Sequence, residues 1–297
     1  MTMDIELLED PLHDSPCEIF LGDRKRRPTV TDVYFLSETL LVAAHRCAAY
    51  VYLIKFDIQR KSHTILSKVR CQVNQYIHYP DTMTVHNNIV YVACYSQNII
   101  RIQIVNQREL RILGTVAIPY NVSFHGIKAY NGRIYATPSE DRTSPHSETI
   151  VCIDPKTRAI HGIPFSEPYR IKAIAFFSDN RVILSLSARL EVSMDVKGCI
   201  VDSAIALCDA SLSILDMVSF PKTQFDSITT DGNVFYVAGA NLDGGQICKG
   251  QLVENRLSSI EMVPVHDFAH GIAVFQSKVY AYTSYSTSAI HIQTKPF

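Results

Sequence analysis

Six positions in the 297-residue chain draw attention first, because their side chains do chemistry and recur at a regular spacing: Thr31, Asp81, His125, Lys172, Asp226 and His270. Asp81 and Asp226 lie 145 residues apart, and so do His125 and His270. A carboxylate beside an imidazole orients the ring and favours its charged form, which suits acid–base catalysis. Asp81 with His125, and Asp226 with His270, are therefore the candidate catalytic pairs. The same four residues are the candidate ligands of a divalent metal, since two His and two Asp that converge suit such an ion. Lys172 is placed to bind an anionic substrate. Thr31 belongs to the same set, and Asp32 competes with it for the position. Arg142 and His146, in the segment Ser139 to Glu148, are further candidate substrate-binding residues.

The elements that carry these residues repeat. Long helical periodicity is nearly absent, and short β-branched and aromatic runs end in turn signals such as Asn-Gly and Asp-Gly. One pattern occurs six times: TDVYFLSETLLVAAH from Thr31, DTMTVHNNIVYVAC from Asp81, HGIKAYNGRIYATP from His125, KAIAFFSDNRVILSLS from Lys172, DSITTDGNVFYVAG from Asp226 and HGIAVFQSKVYAYT from His270. Each copy is a strand, a tight turn and a second strand, and each interval has room for two more strands. Four antiparallel strands per unit at this period predict an all-β, six-bladed β-propeller. The candidate residues then stand at the entry of each innermost strand, beside the central channel. This places a polar ring at a solvated channel mouth, with Val33, Met83, Ile127, Ile174, Ile228 and Ile272 packed two positions further on.

The sixth copy is one strand short. CEIFL, residues Cys17 to Leu21, predicts the missing strand, so that the N-terminus closes the ring and hides a sheet edge. Residues 1–16 are expected to be an acidic tail, and residues 17–297 one propeller domain. Tyr91 and Tyr236, and Tyr135 and Tyr280, share the 145-residue offset; copies 1 and 4 carry Leu41 and Ile183 instead. The chain reads as a doubled three-blade unit.

In period and strand pattern the chain resembles the six-bladed propellers grouped around the NHL-repeat, gluconolactonase-like and strictosidine-synthase-like families. The resemblance covers almost the whole chain. It implies a site at the central channel, and the gluconolactonase-like members imply a divalent metal held by Glu, Asn and Asp, with Asp81 and Asp226 at comparable positions. The chain has no Trp and one Gly-Gly, Gly244-Gly245, which argues against WD and kelch repeats.

Composition narrows the partners. Lys plus Arg is 28 against 29 Asp plus Glu, giving a net charge of -1. A protein that neutralises phosphates needs a basic surplus, so neither nucleic acid nor a membrane surface is expected as partner. The run Arg24-Lys25-Arg26-Arg27 reads as a solvated linker, with a nuclear-localisation or nucleic-acid patch as the alternative. Eight cysteines without CxxC spacing, and no signal-peptide pattern, predict reduced thiols and a cytoplasmic monomer. Two functions remain open. One is a small-molecule site at the channel mouth, with hydrolase, lyase or isomerase chemistry on the Asp/His pairs. The other is a non-enzymatic platform for a protein or peptide on the same face, supported by aromatic loop residues such as Tyr95 and Tyr285. The loops Ser139 to Glu148, about Ala188 to Lys197, and ANLDGGQ are expected to project from that face.

Overall fold

A computed structural model describes residues 17–20, 30–94, 98–119, 123–138, 149–165, 169–188, 202–241, 243–265, 268–284 and 289–294. All regular elements within them are strands, and they form six four-stranded antiparallel sheets, the blades of a propeller. The innermost strands are Val30–Ser37, Pro80–His86, Phe124–Tyr130, Tyr169–Phe176, Thr223–Asp231 and Ala269–Phe275. In blades 1 to 5 three further strands follow in chain order. In blade 6 the outermost strand is Cys17–Phe20, which pairs antiparallel with Ala289–Gln293 from Cys17↔Ile292 to Phe20↔Ala289. The edge left by the short last repeat is thus covered by the N-terminal strand.

The turn chemistry is local. The first and second strands of blade 2 meet at Asn87-Asn88, both at positive φ (51° and 59°), and those of blade 3 at Asn131-Gly132. Two successive left-handed residues make the tight hairpin whose twist matches its strands. Alternate side chains of each sheet then face opposite neighbours, and the core divides into six apolar clusters, each lying between two adjacent blades. Leu41 and Ile183 fill these layers as fully buried aliphatics. Cys71, Cys94, Cys152 and Cys248 are buried free thiols. ANLDGGQ is not a projecting loop: strand runs through Asn241, resumes at Gly244, and these two residues pair. Between blades 1 and 2 a short extra hairpin pairs Gln72–Val73 with Tyr76–Ile77. No helix among the described residues is long and apolar enough to cross a membrane.

Candidate functional site

Every innermost strand breaks register with its neighbour at the same place. The breaks fall between Val30 and Asp32, Pro80 and Thr82, Phe124 and Gly126, Ile171 and Ala173, Phe225 and Ser227, and Ala269 and Ile272. The residues skipped are Thr31, Asp81, His125, Lys172, Asp226, and His270 with Gly271. A bulge turns a side chain out of the alternation of its strand, and here six bulges set the six candidate residues at one level. For blade 1 the bulged residue is Thr31, and Asp32 returns to the ladder.

The ring is not a solvated mouth. Thr31, Asp81, Lys172, Asp226 and His270 are buried, and the His125 side chain retains 13% exposure. The blades approach one another closely at this level. A Cβ on Gly126 would stand 2.9 Å from Ala173 Cα, and one on Gly271 2.9 Å from Asp32 Cα. The His-Gly pairs are glycine at their second position because the next blade's backbone occupies that space. The amides of these glycines donate to Thr137 Oγ1 at 2.9 Å and Thr283 Oγ1 at 2.7 Å, and Thr137 Oγ1 also donates to the Lys172 carbonyl at 3.2 Å. Thr31 Oγ1 donates to the Pro80 carbonyl at 3.3 Å.

Ionic contacts cross the blades as well. Asp81 lies between two cations or potential cations: its Oδ1 meets the Arg46 guanidinium, and its Oδ2 stands 3.0 Å from His125 Nδ1. Asp226 accepts from Gln224 Nε2 at 2.9 Å. Burial drives its carboxyl upward, but His270, Lys172, Gln224 and His125 together outweigh burial and hold its pKa below the ordinary value. His270 Nδ1 donates to the Thr31 carbonyl at 2.8 Å. Burial lowers His270 to about 4 against the opposing pull of Asp226. Lys172 also faces Asp226 and favours its charged form.

The four expected metal ligands do not form a cage: among the described residues no group of three or more His, Cys, Asp or Glu is arranged to hold a metal ion. The physical reason is at hand, since each carboxylate already faces a cation of the protein, Arg46 at Asp81 and Lys172 at Asp226. Arg142 and His146 lie outside the described residues, as do Arg24 to Arg27, Tyr95, Tyr285 and most of the two longer loops.

The open space of the channel lies on the other side of the ring. A cavity of about 770 Å³ runs along the innermost strands of all six blades, past Val33, Met83, Ile127, Ile174, Ile228 and Ile272, to Asn87, Asn88 and Gln107 at the turns of blade 2. The second-level apolar residues, expected only to pack, are its walls. Asp226 is the bulged residue that borders it, and Asp32, Tyr34, Thr82, Lys128, Ser227, Thr229 and Thr230 add to its polar lining. Asp32 Oδ1 accepts from its neighbour Val33 N at 2.9 Å, and Oδ2 accepts from Met83 N of blade 2 at 2.7 Å. Burial nevertheless lifts Asp32 to about 7, against these bonds and the charge of Lys128. Lys128 Nζ donates to Thr229 Oγ1 across the channel at 3.3 Å. Arg46, Gln224 and Lys128 were not singled out from the sequence. Lys128 had a signal: it interrupts an apolar strand where the copy 145 residues on has Ala273.

No family model matches the chain, and no curated protein matches it in sequence. Solved structures do match in fold. The PQQ-bound form of aldose sugar dehydrogenase from Streptomyces coelicolor is 14% identical with a TM-score of 0.62, covering 93% of this chain and 98% of that one. Streptogramin B lyase is 10% identical with a TM-score of 0.59, covering 94% and 97%. The WD40 β-propeller domain of Doa1 is 10% identical with a TM-score of 0.58, covering 92% and 94%. The chain thus shares the β-propeller fold with enzymes and with WD40 propellers alike, at identities that speak for the fold alone.

Proposed function

We propose that the protein is a small-molecule-binding propeller whose site is the channel cavity. The observation that carries this is the cavity itself: about 770 Å³, built by all six blades, and lined both by aliphatic residues such as Ile127, Ile174 and Ile228 and by at least as much polar surface, Asp32, Lys128, Asp226 and Thr229 among it. Such a volume suits a ligand of metabolite size. Two structural neighbours are named as enzymes, one of them in a cofactor-bound form. Asp226 borders the cavity, and the His125–Asp81 pair lies at the same level of the channel, so hydrolase, lyase or isomerase chemistry has an acid–base group within the fold.

The experiment is a thermal-shift screen of small metabolites on the wild-type protein and on the double variant Ile174→Trp/Ile228→Trp, which narrows the cavity with two large rings from neighbouring blades. Binding should raise the melting temperature of the wild type, and the narrowed variant should show a weaker response. Hits that respond equally in both proteins would place the binding elsewhere. A second reading, a platform for a protein partner, is favoured by one feature: Tyr76, Ile77 and Tyr79, on and beside the extra hairpin, are 64%, 37% and 48% exposed.

A further inference from the structure

Among the described residues Lys128 is the one Lys or Arg lining the channel cavity. Its ammonium end lies 3.3 Å from Thr229 Oγ1 and 6.0 Å from the centre of the Tyr34 ring, between blades 1, 3 and 5. Its interaction with Asp32 is through space rather than by a direct ion pair. Two backbone amides hold the Asp32 carboxyl in place. Amine and carboxyl both line the cavity, so a reacting group bound there can meet the two of them.

We propose that Lys128 captures a small aldehyde or ketone in the channel cavity as a Schiff base, with Asp32 as the group that moves the protons. This rests on the channel being the ligand site and names the class of ligand. The lone pair of Nζ forms a bond to the carbonyl carbon, and the C=O π electrons pass to oxygen, which takes a proton from the Asp32 carboxyl. Asp32, now a carboxylate, accepts a proton from nitrogen. It then returns that proton to the carbinolamine hydroxyl, the C–O bond breaks, and water leaves as the C=N bond forms, giving a protonated imine. The Asp32 carboxylate takes the remaining proton from nitrogen and ends as it began, so amine and carbonyl become imine and water, with no oxidant or reductant. Burial lowers the pKa of Lys128 below the ordinary value, against the opposing pull of Asp32, and Asp32 titrates at about 7, so both protonation states of the carboxyl are available near neutral pH. Ile127, Ile174 and Ile228 in the cavity wall give the carbonyl compound an apolar surface to lie against, and Thr229 offers a hydroxyl to its oxygen.

The test treats the whole protein with benzaldehyde at pH 7, reduces with sodium borohydride and maps the modified peptides by mass. The expected result is one benzyl group per chain, on Lys128, absent from Lys128→Arg, and slowed on the order of 10²-fold in Asp32→Asn. Melting temperatures check that both variants fold. Labelling that is spread over surface lysines, or that persists in Lys128→Arg, would overturn the proposal. Benzyl alcohol separates this from the broader reading. If it protects the wild type thermally while the aldehyde is not trapped, the Schiff base is wrong and the channel site stands. If neither compound binds, both are wrong.

Discussion

Blades 2–3 and blades 5–6 carry the same chemical residues 145 positions apart, and the molecule uses them differently. In the first half the aspartate is the hub. Asp81 takes Arg46 on one oxygen and the imidazole of His125 on the other, and His125 keeps some exposure. In the second half the histidine is part of the frame. His270 is buried, bonded to the backbone of blade 1, and neutral above about pH 4. The tyrosines diverge too. Tyr236 and Tyr280 share a hydroxyl–hydroxyl bond of 2.9 Å, whereas the Tyr135 hydroxyl neighbours the thiol of Cys152. Copied residues therefore keep their place in the fold, while their chemistry is set by which cation or backbone group the adjoining blade supplies. His270 stands where blade 6 meets blade 1, the seam that closes the ring.

The largest difference between the halves should appear on neutralising the aspartates. Asp226→Asn removes the carboxylate facing Lys172, whose charge is buried, and breaking such an arrangement costs about 3–5 kcal/mol. Asp81→Asn should cost less, about 1–3 kcal/mol, because the Arg46 side chain is 21% exposed and reaches water. Denaturant unfolding of both variants measures the order. Equal losses would mean that the two hubs are equivalent.

The pH profile sharpens the contrast next. His270 is neutral in the native protein down to about 4, against an ordinary value of 6.5. Between those values only the unfolded chain binds the proton, so this histidine makes stability rise with pH. Asp32 acts in the opposite direction: it holds its proton up to about 7 in the native state but only to 3.8 when unfolded. Over that range it makes stability fall as pH rises. Each slope is at most about 1.4 kcal/mol per pH unit, and in the wild type the two oppose each other. Asp32→Asn should therefore steepen the rise between about pH 4 and 6.5, and His270→Gln should turn it into a fall. Unfolding curves across this range check both signs. Parallel profiles for the two variants would show that these groups do not titrate as described.

The smallest expected effect is at the tyrosines. Tyr280→Phe leaves the buried Tyr236 hydroxyl without this partner and should cost about 0.5–1.5 kcal/mol. Tyr135→Phe should cost less, as a thiol is a weak hydrogen-bonding partner.

Much of this was legible in the sequence. The six repeats, the short sixth copy and the strand CEIFL give the propeller and its closure, because turn residues and apolar alternation are local signals. The level of Asp81, His125, Lys172, Asp226 and His270 was legible as well. Their burial was not. It follows from six consecutive bulges and from glycines that let neighbouring blades touch, and neither is a property of one strand. For the same reason Arg46 escaped notice, since it lies at the end of a different strand in another blade. The side of the ring on which the cavity opens depends on how far side chains reach across the axis, as Lys128 does to Thr229.

The most direct measurement is a crystallographic fragment screen of the intact protein. Fragments are expected in the channel between the ring of Val33, Met83, Ile127, Ile174, Ile228 and Ile272, in contact with Lys128, Asp32 or Asp226. Fragments confined to the outer surface, for instance around Tyr76 and Tyr79, with the channel empty, would contradict the account and favour a protein-binding platform.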